Sequence, residues 1–148
     1  MCEIKFENLS DKYVEQVFAI ERDSIPEFWS MEQISALTSN PNALARIGLI
    51  DGDAICYYSM NVVAGEGYIN NLAVKEAFRG KGIGSALIWD IITAARDSGI
   101  TALTLEVNEN NTPAIALYNK FGFCVEGRRP KFYAGKDAAL IMWKRDIR

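Results

Sequence analysis

The stretch Asn70 to Gly84 (NNLAVKEAFRGKGIG) restricts this chain more than any other. It continues an apolar strand, Tyr68 to Val74. It then turns through three alternating glycines, Gly80, Gly82 and Gly84, with Arg79 and Lys81 among them, and opens at once into an amphipathic segment, Ser85 to Asp97. Glycine permits positive φ and lets a ligand approach the backbone. A helix starting just after such a turn presents unpaired N–H groups and the positive end of its dipole. That combination binds anions, most naturally phosphate. The dinucleotide fingerprint G-x-G-x-x-G fails, because the sixth position from Gly80 is Ser85, and no G-x-x-x-x-G-K-[ST] occurs. Without a ligand the same residues read as a plain strand-to-helix turn.

The remaining pattern places this unit in a mixed α/β sheet. Glu3 to Glu7 alternates apolar and charged residues, as a strand does. Ser10 is a candidate cap for a helix whose face carries Val14, Val17, Phe18 and Ile25, and Pro26 ends it. Ser30 and Gln33 form a capping box on a second helix, Ser30 to Ser39. Ala43 to Ile50, Ala54 to Val63 and Tyr68 to Val74 are three strands. They are joined by the hairpin turn Asp51-Gly52-Asp53 and by a second turn over Ala64 to Gly67. Leu87, Ile88, Ile91, Ile92 and Ala95 give the helix after the glycines an apolar stripe. Ala102 to Val107 follows through a right-handed crossover, parallel to its neighbour. A short helix, Thr112 to Phe121, and two strands, Phe123 to Gly127 and Asp137 to Trp143, complete the order β-α-α-β-β-β-α-β-α-β-β. A loop is expected over Arg128 to Lys136.

At 148 residues the expectation is one domain over residues 1–148. No apolar run reaches the roughly 18 residues that span a membrane, and the opening MCEIKFENLSDKY is unlike a secretory leader. A net charge of −3 argues against nucleic acid as a direct partner. Cys2, Cys56 and Cys124 suggest neither a zinc cluster nor a disulfide framework. They fit a reducing cytoplasm, and for Cys56 and Cys124 buried structural thiols are the default. The chain has no histidine. Any acid–base chemistry therefore falls to carboxylates, Tyr, Lys, Cys or water.

Four stretches carry a resemblance. Arg79-Gly80-Lys81-Gly82-Ile83-Gly84 fits R/Q-x-x-G-x-G/A and follows Asn71-Leu72-Ala73-Val74. Phe28-Trp29-Ser30 follows the first helix. Leu105-Glu106-Val107 leads to Asn111, Ala114-Ile115-Ala116-Leu117-Tyr118 and Phe121-Gly122-Phe123. Arg129 to Tyr133 leads to Asp137-Ala138 and Ile141-Met142. With the element order, these resemble the GCN5-related N-acetyltransferase (GNAT) family, and within it the RimI branch, which acetylates the N-terminal alanine of a ribosomal protein. Two positions depart from the pattern: Phe28 replaces the family's proline, and Phe132 replaces one of its paired tyrosines.

The resemblance implies the GNAT fold, acetyl-CoA as co-substrate and no metal. It implies attack of an amine on the thioester, with a protein or peptide N-terminus as acceptor, a ribosomal protein among the candidates. Leu72, Ala73 and Val74 would lie along the pantetheine arm, with the Leu72 N–H on the thioester carbonyl. Arg79, Gly80, Lys81, Gly82, Ile83, Gly84 and Ser85 would surround the pyrophosphate, and Asn111 and Tyr118 would also touch the cofactor. Glu106 would be the general base and Tyr118 the acid for the leaving thiolate. Glu27, Trp29 and Tyr133 would face the acceptor. Each position has a plainer reading from the residues alone: strand core for Leu72 to Val74, a solvated outward residue for Glu106, packing for Tyr118, a helix cap for Asn111 and core aromatics for Trp29 and Tyr133. Acetylation of a small amine or polyamine, and a non-catalytic acyl-CoA-binding module, are the alternative functions.

Overall fold

The computed structural model describes residues 3–133 and 135–147, with the side chain of Tyr133 outside that description. The elements are β1 (Lys5–Asn8), α1 (Val14–Ser24), α2 (Met31–Ala36), β2 (Ala43–Ile50), β3 (Asp53–Val63), β4 (Glu66–Val74), α3 (Ile83–Asp97), β5 (Ala102–Asn108), α4 (Thr112–Lys120), β6 (Cys124–Tyr133) and β7 (Asp137–Arg145). Their order is the one the sequence predicts. The strands form one sheet, β1-β2-β3-β4-β5-β7-β6. Every neighbouring pair is antiparallel except β4 and β5, which the α3 crossover makes parallel.

The two faces of the sheet carry separate cores. On one, Val17 and Ile20 of α1 and Ile34 of α2 pack against Ile47, Tyr57 and Ala73. On the other, the predicted α3 stripe of Leu87, Ile88, Ile91, Ile92 and Ala95 packs against Tyr58, Leu103 and Leu105, with Tyr118 of α4 and Phe123. Strand alternation produces this division: Tyr57 and Tyr58 are adjacent, both are fully buried, and they enter opposite cores. A polar clamp ties α3 to the strands. Asp90 accepts from Arg46 Nε at 2.7 Å, Arg46 Nη2 at 3.1 Å and the Tyr58 hydroxyl at 2.7 Å. Asp90→Ala leaves the fully buried Tyr58 hydroxyl and the half-buried Arg46 guanidinium without their acceptor. We expect a loss of about 2–3 kcal/mol, read as a lower denaturant midpoint.

Several boundaries differ from expectation. Ser10 does not cap α1: a 3-10 turn, Asp11–Tyr13, precedes the helix, and the Ser10 side chain makes no cap bond. Ile25 lies past the end of α1 with extended backbone, the conformation that a following proline imposes. The capping box of α2 forms, but the helix stops at Ala36. The turn after β3 tightens to Ala64-Gly65, both at positive φ, as a two-residue hairpin requires. The largest difference is β6. It continues through the expected loop to Tyr133, with a register shift between Arg129 and Tyr133 and Lys131 at φ +53°. As an outer strand it tolerates Pro130, whose missing N–H costs no central ladder bond.

Candidate active site

The site begins where two parallel strands part. β4 pairs with β5 over Glu66↔Ala102, Gly67↔Leu103 and Tyr68↔Thr104, and the ladder extends no further among the described residues. On its other side β4 stays paired with β3 to Val74, and the Lys75 N–H donates to the Ile55 carbonyl at 2.8 Å. That bond fixes the phase of the antiparallel ladder: Tyr57/Ala73 and Ser59/Asn71 are the hydrogen-bonded pairs. The Ala73 backbone is thus spent on β3. The N–H and C=O of Leu72 and Val74 point the other way, into the gap beside β5. A polar extended ligand can use such an open edge as an additional strand would.

The glycine turn closes one end of the gap. Gly80 and Gly82 hold φ of +75° and +80°, a region side chains disfavour. Gly82 is itself the cap residue of α3 and has no side chain to accept from the first turn. α3 starts at Ile83 rather than Ser85, so Gly84 and Ser85 belong to the helix's first turn and their amides line its open end. Lys81 places its ammonium 5.8 Å from the centre of the Phe78 ring. Arg79 is engaged within the chain: Nε donates to the Val74 carbonyl at 3.0 Å and Nη2 to Ser24 Oγ at 2.8 Å.

Glu106 and Tyr118 lie on opposite faces of the sheet. Leu105 and Val107 enter the α3 core, so Glu106 between them projects to the α1–α2 face. Its side chain is 33% exposed, and Oε1 lies 3.4 Å from Arg129 Nη2. Arg129 in turn lies over the Phe132 ring, 4.9 Å from its centre. Tyr118 is buried in the α3 core, against Phe123 at 5.9 Å between ring centres. Asn111 caps α4, its side chain accepting from the Ala114 N–H at 3.3 Å. Glu27 is exposed and Trp29 half-buried, both in the segment between α1 and α2, and Trp29 packs on the α1 core. Of the acceptor-side residues, Tyr133 falls outside the described side chains.

Cys56 and Cys124 are free thiols, and Cys2 lies outside the described residues. Burial pushes the Cys56 thiol up to about 12, which leaves it protonated and inert. Cys124 is exposed, against the expectation of a buried thiol.

One cluster escaped the sequence reading. Glu21 of α1 is fully buried, and it accepts from the Trp29 N–H, from Asn71 Nδ2 and from the Tyr57 hydroxyl. Burial, and then the Glu21 carboxylate, push the Tyr57 phenol well above its ordinary range. The signal was available: Glu21 stands four residues after Val17 and seven after Val14, on the apolar stripe where a carboxylate needs partners.

The chain matches the acetyltransferase (GNAT) family model over residues 13–123. It is 32% identical over 139 residues to a Bacillus subtilis protein provisionally named a [ribosomal protein bS18]-alanine N-acetyltransferase, covering 92% of this chain and 91% of that one. The crystal structure of the ribosomal-protein-S18-alanine N-acetyltransferase from Escherichia coli superposes with a TM-score of 0.90 at 25% identity, over 97% of this chain and 94% of that one. Arabidopsis thaliana NAA60, solved in complex with acetyl-CoA, has a TM-score of 0.84 at 20% identity, over 95% and 97% of the two chains, a likeness of fold.

Proposed function

Since the chain belongs to the GNAT acetyltransferase family and is an acyltransferase, we propose that it acetylates the N-terminal α-amine of a protein, a ribosomal protein being the first candidate. The observation that carries this reading is the parting of β4 from β5, which leaves the N–H and C=O of Leu72 and the N–H of Val74 directed into the gap. The relative named for alanine Nα-acetylation covers nearly the whole chain and supports the choice of acceptor.

The residues fit acetyl-CoA. Leu72 and Val74 offer amide partners for its pantetheine arm, although Arg79 already holds the Val74 carbonyl. The uncapped first turn of α3, with the Gly80 and Gly82 backbone and Lys81, suits its pyrophosphate. Asn111 and Tyr118 would flank it from α4. Acetyl-CoA supplies the activated acetyl thioester.

The chain supplies the proton traffic. An α-amine with pKa near 8 is about a tenth neutral at pH 7. Glu106, on the α1–α2 face, takes the amine proton through a water as the new C–N bond forms. The Leu72 N–H polarises the acetyl carbonyl. As the C–S bond breaks, Tyr118 gives its proton to the departing thiolate from the α3–α4 face. On this reading acid and base act from opposite faces of the sheet, so neither competes for the other's proton. Glu27 and Trp29, from the segment between α1 and α2, would meet the acceptor chain.

The test is thiol release from acetyl-CoA against an acceptor panel: peptides with free N-terminal Ala, Ser, Gly or Met, their N-blocked lysine-containing forms, and polyamines. Release with free N-termini only, Ala foremost, is the expected outcome. Release with polyamines only would move the acceptor to small amines. Acetyl-CoA binding without turnover of any acceptor would favour a binding module.

A further inference from the structure

We propose that Glu21 is the positioning residue of the acceptor site, its buried carboxylate locking the α1–α2 segment to β4 at the mouth of the gap. The inference rests on the acceptor lying between that segment and Glu106. Glu21 is fully buried. Its Oε2 takes the Trp29 N–H at 2.6 Å and Asn71 Nδ2 at 2.8 Å. Its Oε1 takes Asn71 Nδ2 at 2.7 Å and the Tyr57 hydroxyl. Three donors from three separate segments converge on one carboxylate.

Two features show what this convergence holds. First, Asn71 immediately precedes Leu72 and adjoins the register shift between Ser59 and Met60, which leaves Asn70 without a partner on β3. A bulge aims the residues beside it, so fixing Asn71 fixes the direction of the Leu72 N–H. Second, the segment from Ser24 to Trp29 is tied to the same strand at both ends. Arg79 links Ser24 to the Val74 carbonyl, and Glu21 links Trp29 to Asn71. The segment carrying Glu27 and Trp29 is thereby strapped alongside the strand that faces the thioester.

Stability alone does not call for this arrangement, since well-packed apolar residues commonly replace a buried polar cluster without loss. A carboxylate does what they cannot. It sets distances among three donors through directional, charge-assisted bonds.

The experiment compares wild type, Glu21→Leu and Glu21→Gln. Leucine fills similar volume and accepts nothing. Glutamine keeps one acceptor oxygen and serves as the conservative rescue. The readouts are kcat and KM for the best acceptor of the panel, acetyl-CoA Kd by calorimetry, and amide exchange at residues 25–30. In Glu21→Leu we expect the acceptor KM to rise by about tenfold, the factor carried by one lost charge-assisted hydrogen bond. Exchange at Trp29 should quicken, and acetyl-CoA Kd, which can feel Glu21 only through Asn71 and the Leu72 N–H, should change by clearly less than the acceptor KM. Glutamine should recover part of both effects. If leucine folds too poorly to assay, glutamine alone must still shift acceptor KM and Trp29 exchange in that direction. An unchanged acceptor KM in the folded variants, or an equal loss in acetyl-CoA binding, overturns the proposal. The panel's best acceptor is used whatever its class, and exchange needs no acceptor. A wrong acceptor assignment therefore shows in wild type, separately from a wrong role for Glu21.

Discussion

Replacing Glu106 by Gln should lower kcat by about 10²–10⁴-fold, the range that a positioned general base supplies, while acetyl-CoA binding stays intact. The substitution keeps size and hydrogen-bonding shape and removes only the capacity to accept a proton. It also dissolves the pair with Arg129, but exposed pairs of that kind contribute at most about 1 kcal/mol, so the fold should survive. Arg129 is itself half exposed, and its guanidinium lies over Phe132. It can leave Glu106 when an acceptor amine arrives without exposing a buried charge. The pH profile gives a second reading. Without the base, the residual rate should climb with pH as the amine itself deprotonates, near 8 for an α-amine. Steady-state kinetics with the preferred acceptor, paired with calorimetric titration of acetyl-CoA, decides the matter. A variant turning over at the wild-type rate would remove Glu106 from the mechanism.

Gly82→Ala should act on the other substrate. Gly82 holds φ +80°, and a Cβ built there meets no atom within 4 Å. The chain itself therefore has room for alanine, and the penalty is conformational, about 1–2 kcal/mol for a side chain in the left-handed region. For a chain of this size that corresponds to a fall in Tm of roughly 2–8 °C. The open space is where the cofactor phosphates should approach the first turn of α3. A methyl group there, or a turn that relaxes to avoid positive φ, should raise the acetyl-CoA Kd by about tenfold, equivalent to 1.4 kcal/mol. At saturating acetyl-CoA, kcat should be near wild type, because Glu106 and Tyr118 lie elsewhere. A lower Tm with an unchanged Kd would show that the glycines serve the turn and not the ligand.

Much of the architecture was legible because it is written locally. Asp51-Gly52 specifies a hairpin by its backbone preferences. The spacing of Leu87, Ile88, Ile91, Ile92 and Ala95 specifies a buried helical face, and Ser30 with Gln33 specifies a helix start. Each signal spans a few residues and needs no distant partner. The boundaries that moved were those where a distant partner decides. The reach of β6 through Pro130 depends on β7 lying beside it and on its outer position in the sheet. The exposure of Cys124 depends on that same placement.

The sequence by itself determined the order of elements, the strand–glycine–helix unit and, through the absence of histidine, the restriction of any acid–base work to carboxylates, Tyr, Lys, Cys or water. Only the tertiary structure decided how these meet. The phase of the β3–β4 ladder turns the Leu72 and Val74 backbone away from β3 while Ala73 serves it, and the parting of β4 from β5, a long-range event, leaves that side without a strand partner. The opposite placement of Glu106 and Tyr118 follows from which face each helix covers. The partners of Glu21, which are Trp29, Tyr57 and Asn71, are separated from it by up to 50 residues. Periodicity can mark a carboxylate on an apolar stripe as needing donors. Which donors it finds is settled only when the strands and the α1–α2 segment pack together.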